Sequence, residues 1–82
     1  MYIRSSKELA LLVVQQRKKM KLSQTAVANL VGLKQATISA FENKPESTKL
    51  NTLFQILSAI NLDIDVTSKD DSSSDSVWQE EW

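Results

Sequence analysis

Apolar positions along this chain recur mostly at helical spacing, with one stretch near the end that alternates instead. Leu9, Leu12 and Val13, joined by Gln16, fall on one face at steps of three and four. That first helix opens at Ser5, whose spacing to Glu8 is that of a capping box, and it closes in the basic cluster at residues 17–21, where cations suit the negative helix end. Ser23 is placed to cap a second helix over residues 24–31, and Gly32 stands where a left-handed C-terminal residue is wanted. A third helix, residues 35–43, follows almost at once and stops in Asn43-Lys44-Pro45, because proline disfavours helical geometry in the residue before it. Thr48 is the expected cap of a fourth helix, with Leu50, Leu53, Phe54, Leu57 and Ile60 as its buried stripe and Asn61 as its stop. Met20 and Phe54 are expected to fill the core.

After Asn61 the period changes. Leu62, Ile64 and Val66 alternate with Asp63, Asp65 and Thr67, the pattern of a half-buried strand. No second strand-like run exists to pair with it, and an isolated strand leaves its backbone groups without ladder partners. Pairing with the same strand of a second copy resolves this; the alternative is an extended segment lying on its own core. From Ser68 the chain turns polar and acidic through Ser76, a composition that cannot offset its ordering entropy and is expected to be disordered. It ends Val77-Trp78-Gln79-Glu80-Glu81-Trp82, holding both tryptophans of the protein. The expected division is therefore a folded domain over 1–67 and an acidic tail over 68–82.

At 82 residues there is room for one domain. The absence of cysteine and histidine argues against disulfides, thiolate metal sites and His-based catalysis. No apolar run approaches the roughly 18 residues of a membrane span and the N-terminus is unlike a signal peptide, so a soluble intracellular protein is expected, with no membrane association. A net charge of zero conceals an asymmetry. Residues 1–61 carry nine lysines and arginines against Glu8, Glu42 and Glu46; residues 62–82 carry Lys69 against seven acids. A basic body suits a polyanion, although a solvated surface with an acidic solubility tail has the same balance. A single glycine rules out a phosphate-cradling glycine loop, and Asp70, Asp71 and Asp75 lack calcium-loop spacing. Neither catalysis, nor a metal, nor a cofactor is expected.

The strongest motif begins at Gln24. Ala28 is small where two helices would cross closely, Gly32 makes the turn, and Val27, Val31, Leu33, Ile38 and Phe41 supply a buried face that fixes the angle between them. This leaves Lys34, Gln35, Ala36, Thr37, Ser39 and Ala40 outward on the second helix, short polar, amide and basic groups suited to base edges and phosphates in a major groove. The same motif used only for protein contacts is the competing reading.

With those residues in place, residues 5–60 resemble the Cro/C1-type (Xre) helix-turn-helix repressor family, through Ser23-Gln24-Thr25-Ala26-Val27-Ala28 and Gln35-Ala36-Thr37-Ile38-Ser39-Ala40-Phe41-Glu42-Asn43. Within it the chain is similar to the HipB-type antitoxins, partners of HipA kinase toxins. That likeness rests on Leu33-Lys34-Gln35-Ala36-Thr37-Ile38-Ser39, Phe41-Glu42-Asn43 followed by Pro45, the single strand and the final Glu81-Trp82. The resemblance implies an all-α domain of four to five helices, with one C-terminal strand pairing across a homodimer before the disordered tail. It implies base contacts from Lys34, Gln35, Ala36 and Ser39, and phosphate contacts from Ser23, Gln24 and Thr37. It further implies a ribbon of Leu62, Ile64 and Val66 from each copy, and a tail that docks on a HipA-like Ser/Thr kinase toxin through Trp82 and Trp78. The second tryptophan departs from the family pattern. The implied role is a non-enzymatic repressor of its own operon on palindromic double-stranded DNA, in the bacterial cytoplasm at the nucleoid. A stand-alone regulator of the same fold is the alternative.

Overall fold

The computed structural model describes residues 2–69. Four α-helices and one 3₁₀ turn follow in order: α1 (Ser6–Lys19), α2 (Gln24–Leu30), α3 (Gln35–Asn43), the 3₁₀ turn Pro45–Ser47, and α4 (Leu50–Ala59). Among the described residues no helix is long and apolar enough to cross a membrane.

The helix starts follow local chemistry. Ser5 caps α1 by accepting from the Glu8 N–H at 3.1 Å, and Glu8 reaches back to accept from the Arg4 N–H at 2.6 Å. The reciprocal bond of the capping box thus lands one residue earlier than the usual position. Ser23 caps α2 by accepting from the Ala26 N–H at 3.0 Å.

Three helix ends share one device. Beyond α1, α2 and α4 the left-handed position is held by Lys21 (φ 60°), Gly32 (φ 70°) and Asn61 (φ 61°). The next residue in each case is a leucine whose N–H reaches back to the third-last helical residue: Leu22 to the Arg17 carbonyl at 3.0 Å, Leu33 to Ala28 at 2.9 Å, Leu62 to Leu57 at 2.9 Å. This is the Schellman closure, and its usual apolar contact is present, since Leu22, Leu33 and Leu62 all pack against the core.

That core comprises Ala10 and Val13 of α1, Val27 and Ala28 of α2, Ile38 and Phe41 of α3, and Leu53, Ile56, Leu57 and Ile60 from α4 and its cap. Ala28 is buried as expected of a close crossing, and Val31 and Leu33 are half-buried. The side-chain amide of Gln16 donates to the Ile60 carbonyl at 3.0 Å, fastening α1 to the end of α4.

Three expectations need correction. Thr48 does not cap α4: Pro45 starts a 3₁₀ turn that Thr48 closes through its N–H to the Pro45 carbonyl, and Lys49 is the N-cap, without a side-chain cap bond. Leu50 and Phe54 are 70% and 51% exposed, because the buried arc of α4 is centred on Leu53, Ile56, Leu57 and Ile60 and they lie at its edge. Met20 is exposed at the C-cap of α1, its sulfur near the Gln16 amide, rather than in the core. Residues 62–67 are non-helical and make no ladder within the single chain; their pairing with a second copy is a matter between chains. Leu62 is committed to the α4 closure, while Ile64 and Val66 are exposed. The tail expectations for residues 70–82, including Trp78 and Trp82, lie outside the described residues.

Candidate nucleic-acid interface

α2 and α3 with the turn between them form one unit, and the outward row of α3 begins at its N-cap, Lys34. Lys34, Gln35, Ala36 and Ala40 are exposed; Thr37 and Ser39 are half-buried. Of the expected base-contact residues, Lys34, Gln35 and Ala36 therefore share an open surface, and Ser39 sits deeper in the row.

Gln35 is held rather than left to rotate. Its Nε2 donates to Gln24 Oε1 at 2.6 Å, and Gln24 Nε2 donates to Glu42 Oε1 at 2.9 Å. Glu42 also accepts two bonds from Arg17, Nε to Oε2 at 2.8 Å and Nη2 to Oε1 at 3.1 Å, and Arg17 Nη1 donates to the Leu22 carbonyl at 3.0 Å. The ion pair is largely enclosed, with side chains 11% and 8% exposed, so solvent screens it little. This chain of bonds runs from α1 through the first residue of α2 to the first residue of α3. Gln35 retains its carbonyl oxygen and a second N–H, the donor–acceptor pair that bidentate adenine recognition requires. Ser39 Oγ accepts from Asn43 Nδ2 at 3.2 Å, which leaves its hydroxyl proton to donate.

Of the expected phosphate contacts, Ser23 Oγ is occupied as the α2 cap acceptor and can still donate, and Gln24 is engaged in the amide chain. Thr37 lies in an open cleft beside α3 with Ala36, Ala40, Ser47, Thr48, Lys49 and Thr52. Sequence reasoning missed the last four and the Arg17–Glu42 pair. A signal for the pair existed: an acid on the recognition helix of a basic body needs a cation against it.

Lysines frame this face. Lys34 is the N-cap of α3, Lys44 its C-cap and Lys49 the N-cap of α4, all exposed. A cation at a helix N-terminus has the wrong sign for the helix dipole. Two such lysines, neither making a side-chain cap bond, break a local stability rule at one surface.

The fold and this face together define a helix-turn-helix domain. Residues 13–66 match the helix-turn-helix family HTH_3. Antitoxin HipB of Escherichia coli (strain K12) is 40% identical over 62 residues, covering 73% of this chain and 70% of that protein. A chain of the HipA-HipB-O2-O3 complex superposes with a TM-score of 0.82 at 36% identity, covering 85% of this chain and 99% of that one. A chain of the HipB-O4 20mer complex gives 0.81 at the same identity and coverage. The chain belongs to the HTH_3 helix-turn-helix family, among the HipB antitoxins.

Proposed function

We propose that this protein is a sequence-specific DNA-binding repressor, the antitoxin of a type II toxin–antitoxin module. In this reading it represses its own operon and binds a HipA-like Ser/Thr kinase toxin. The observation that carries the DNA reading is the anchoring of Gln35 through Gln24, Glu42 and Arg17, which presents a prepared amide on an open α3 face. Preorganisation of this kind lowers the entropic cost of base readout. Lys34, Ala36 and Ser39 complete the base-reading row. Ser23, Gln24 and Thr37, with Lys49 and the hydroxyls of Ser47 and Thr48, take the flanking phosphates. An arriving phosphate reverses the unfavourable placement of Lys34 and Lys49, because helix N-terminus, lysine and anion then attract one another.

The folded unit spans 1–67 and works as a homodimer on a palindromic site. The exposed Ile64 and Val66 pair residues 62–67 with the same segment of a second copy, and Leu62 anchors that segment to α4. Residues 68–82 form the toxin-binding tail, with Trp82 as principal anchor and Trp78 as second, since tryptophan is enriched at energetic centres of interfaces. Support for the toxin comes from the structural neighbour taken from a HipA-HipB complex.

The test is titration of operator DNA from the chain's own upstream region and of the neighbouring HipA-like kinase, with intact protein and Trp82→Ala. Loss of about 2 kcal/mol or more of toxin affinity with operator binding kept is the expected result. Tight operator binding with no kinase binding by the intact chain overturns the antitoxin role and leaves a stand-alone regulator.

A further inference from the structure

Of the three residues that close helices in the left-handed conformation, Lys21 alone is of a type that does not suit it. Gly32 and Asn61 hold the same position after α2 and α4, and glycine and asparagine visit that region routinely. Strain at a residue bearing a Cβ persists only where its surroundings enforce it, and it gathers at functional positions. Nothing within the fold uses the lysine placed there. The residue is exposed, and its ammonium makes no hydrogen bond or ion pair among the described residues. The negative end of α1 is already met by Arg17, Lys18 and Lys19 in its last turn.

We infer that Lys21 is a further DNA contact, an ammonium held against the backbone phosphate beside the one taken by Ser23. The inference rests on the DNA reading above and adds one charge contact per copy, set by a residue whose backbone the fold must strain to place it.

Three observations select DNA backbone. The Lys21 N–H donates to the Lys18 carbonyl at 3.0 Å, and the next residue, Leu22, accepts from Arg17 Nη1 at 3.0 Å. Arg17 is the root of the bond chain that ends at Gln35, so the turn carrying Lys21 is fixed by the network that positions the base-reading amide. Ser23, exposed and proposed above as a phosphate contact, stands two residues on, a span of at most about 7 Å. DNA presents its charges in a regular file, so a cation that close to one phosphate contact meets the next. Lysine is a point charge on a flexible stem, which suits a phosphate oxygen better than the planar edge of a base.

The experiment is fluorescence anisotropy of the full chain on operator and random duplexes between about 50 and 200 mM salt, with Lys21→Gly, Lys21→Asn, Lys21→Arg and Lys7→Gln. Urea unfolding and titration of the kinase toxin accompany it. Lys7 is an exposed lysine in the first turn of α1, about 18 Å along the axis from the helix end and beyond the Debye length, so it controls for net charge. Lys21→Gly is expected to raise the urea midpoint and yet to bind both duplexes more weakly. The deficit should be about tenfold at 50 mM salt and nearly gone at 200 mM, because each of two copies loses one phosphate contact. The operator-to-random ratio should hold, since a phosphate contact carries no base information. Lys21→Asn should follow Lys21→Gly, Lys21→Arg should keep the wild-type salt slope, and Lys7→Gln should change little. A Lys21→Gly protein that binds both duplexes like wild type, or loses only toxin affinity, overturns the inference and leaves the DNA reading standing. An equal loss in Lys7→Gln overturns it by reducing the effect to net charge, and a lower urea midpoint for Lys21→Gly does so by giving the side chain a structural use. A wild-type chain that binds neither duplex overturns the DNA reading itself.

Discussion

Lys21 and Gly32 occupy equivalent positions after α1 and α2, with φ of 60° and 70°. The left-handed conformation strains a residue bearing a Cβ and leaves glycine unstrained. Lys21→Gly is therefore expected to stabilise the fold by about 0.5–1 kcal/mol, and Gly32→Ala to destabilise it by about 1–2 kcal/mol. A Cβ built on Gly32 meets nothing within 4 Å, so the second cost is conformational rather than steric. Urea unfolding of the two variants checks both signs, and a destabilised Lys21→Gly would assign the lysine side chain a larger role than its backbone strain. Gly32 and Asn61 were legible as helix stops because those residue types tolerate positive φ; Lys21 was not, because lysine carries no such signature. At the DNA face, Gln35→Ala is expected to cost about 1–3 kcal/mol on operator DNA and to relax preference at one base position, since Gln35 offers a donor–acceptor pair to a base edge. Anisotropy titrations on operator and random duplexes decide this. Equal losses on the two would make Gln35 a backbone contact instead.

At the scale of elements, capping chemistry located the starts of α1 and α2 and the stop of α3, and binary patterning found α4. Patterning could not separate the centre of the α4 stripe from its edge, which is why Leu50 and Phe54 looked buried and Ile56 was overlooked. The Arg17–Glu42 pair was only half legible: Glu42 called for a cation, but its partner lies 25 residues away, and only tertiary packing of α1 against α3 brings them together. This pair joins three helices, through Arg17 on α1, Gln24 on α2 and Glu42 on α3. Removing one member strands an enclosed charge, so Arg17→Met and Glu42→Leu are each expected to cost about 3 kcal/mol. The double variant leaves neither charge behind and is expected to cost less than the two singles summed. Thermal unfolding of the four proteins tests the coupling, and strict additivity would remove the pair from the framework. Because Gln24 loses its acceptor in Glu42→Leu, operator affinity is expected to fall more than random-DNA affinity, the mark of a positioning group rather than a phosphate contact.

For the molecule as a whole, charge is segregated along the chain: the cations framing α3 belong to the folded domain, while residues 70–82 add five acids and no base. Those acids are covalently joined to a domain that binds a polyanion, so they contribute a repulsive potential toward DNA. A chain ending at Lys69 is accordingly expected to bind both operator and random duplex more tightly than the intact protein. The gain should be several-fold at about 50 mM salt, where the Debye length exceeds 10 Å, and should shrink toward unity at about 300 mM. Because repulsion from a tethered charge carries no base information, the ratio of operator to random affinity should stay the same. The truncation also removes Trp78 and Trp82, so the toxin affinity should drop in the variant that gains DNA affinity. Parallel anisotropy titrations across a salt series, with kinase binding measured on the same samples, separate the two effects. Equal DNA affinities at the lowest salt would mean that the acids are not felt at the α3 face. A change in the operator-to-random ratio would mean instead that residues 70–82 influence base readout, an effect that charge alone does not produce.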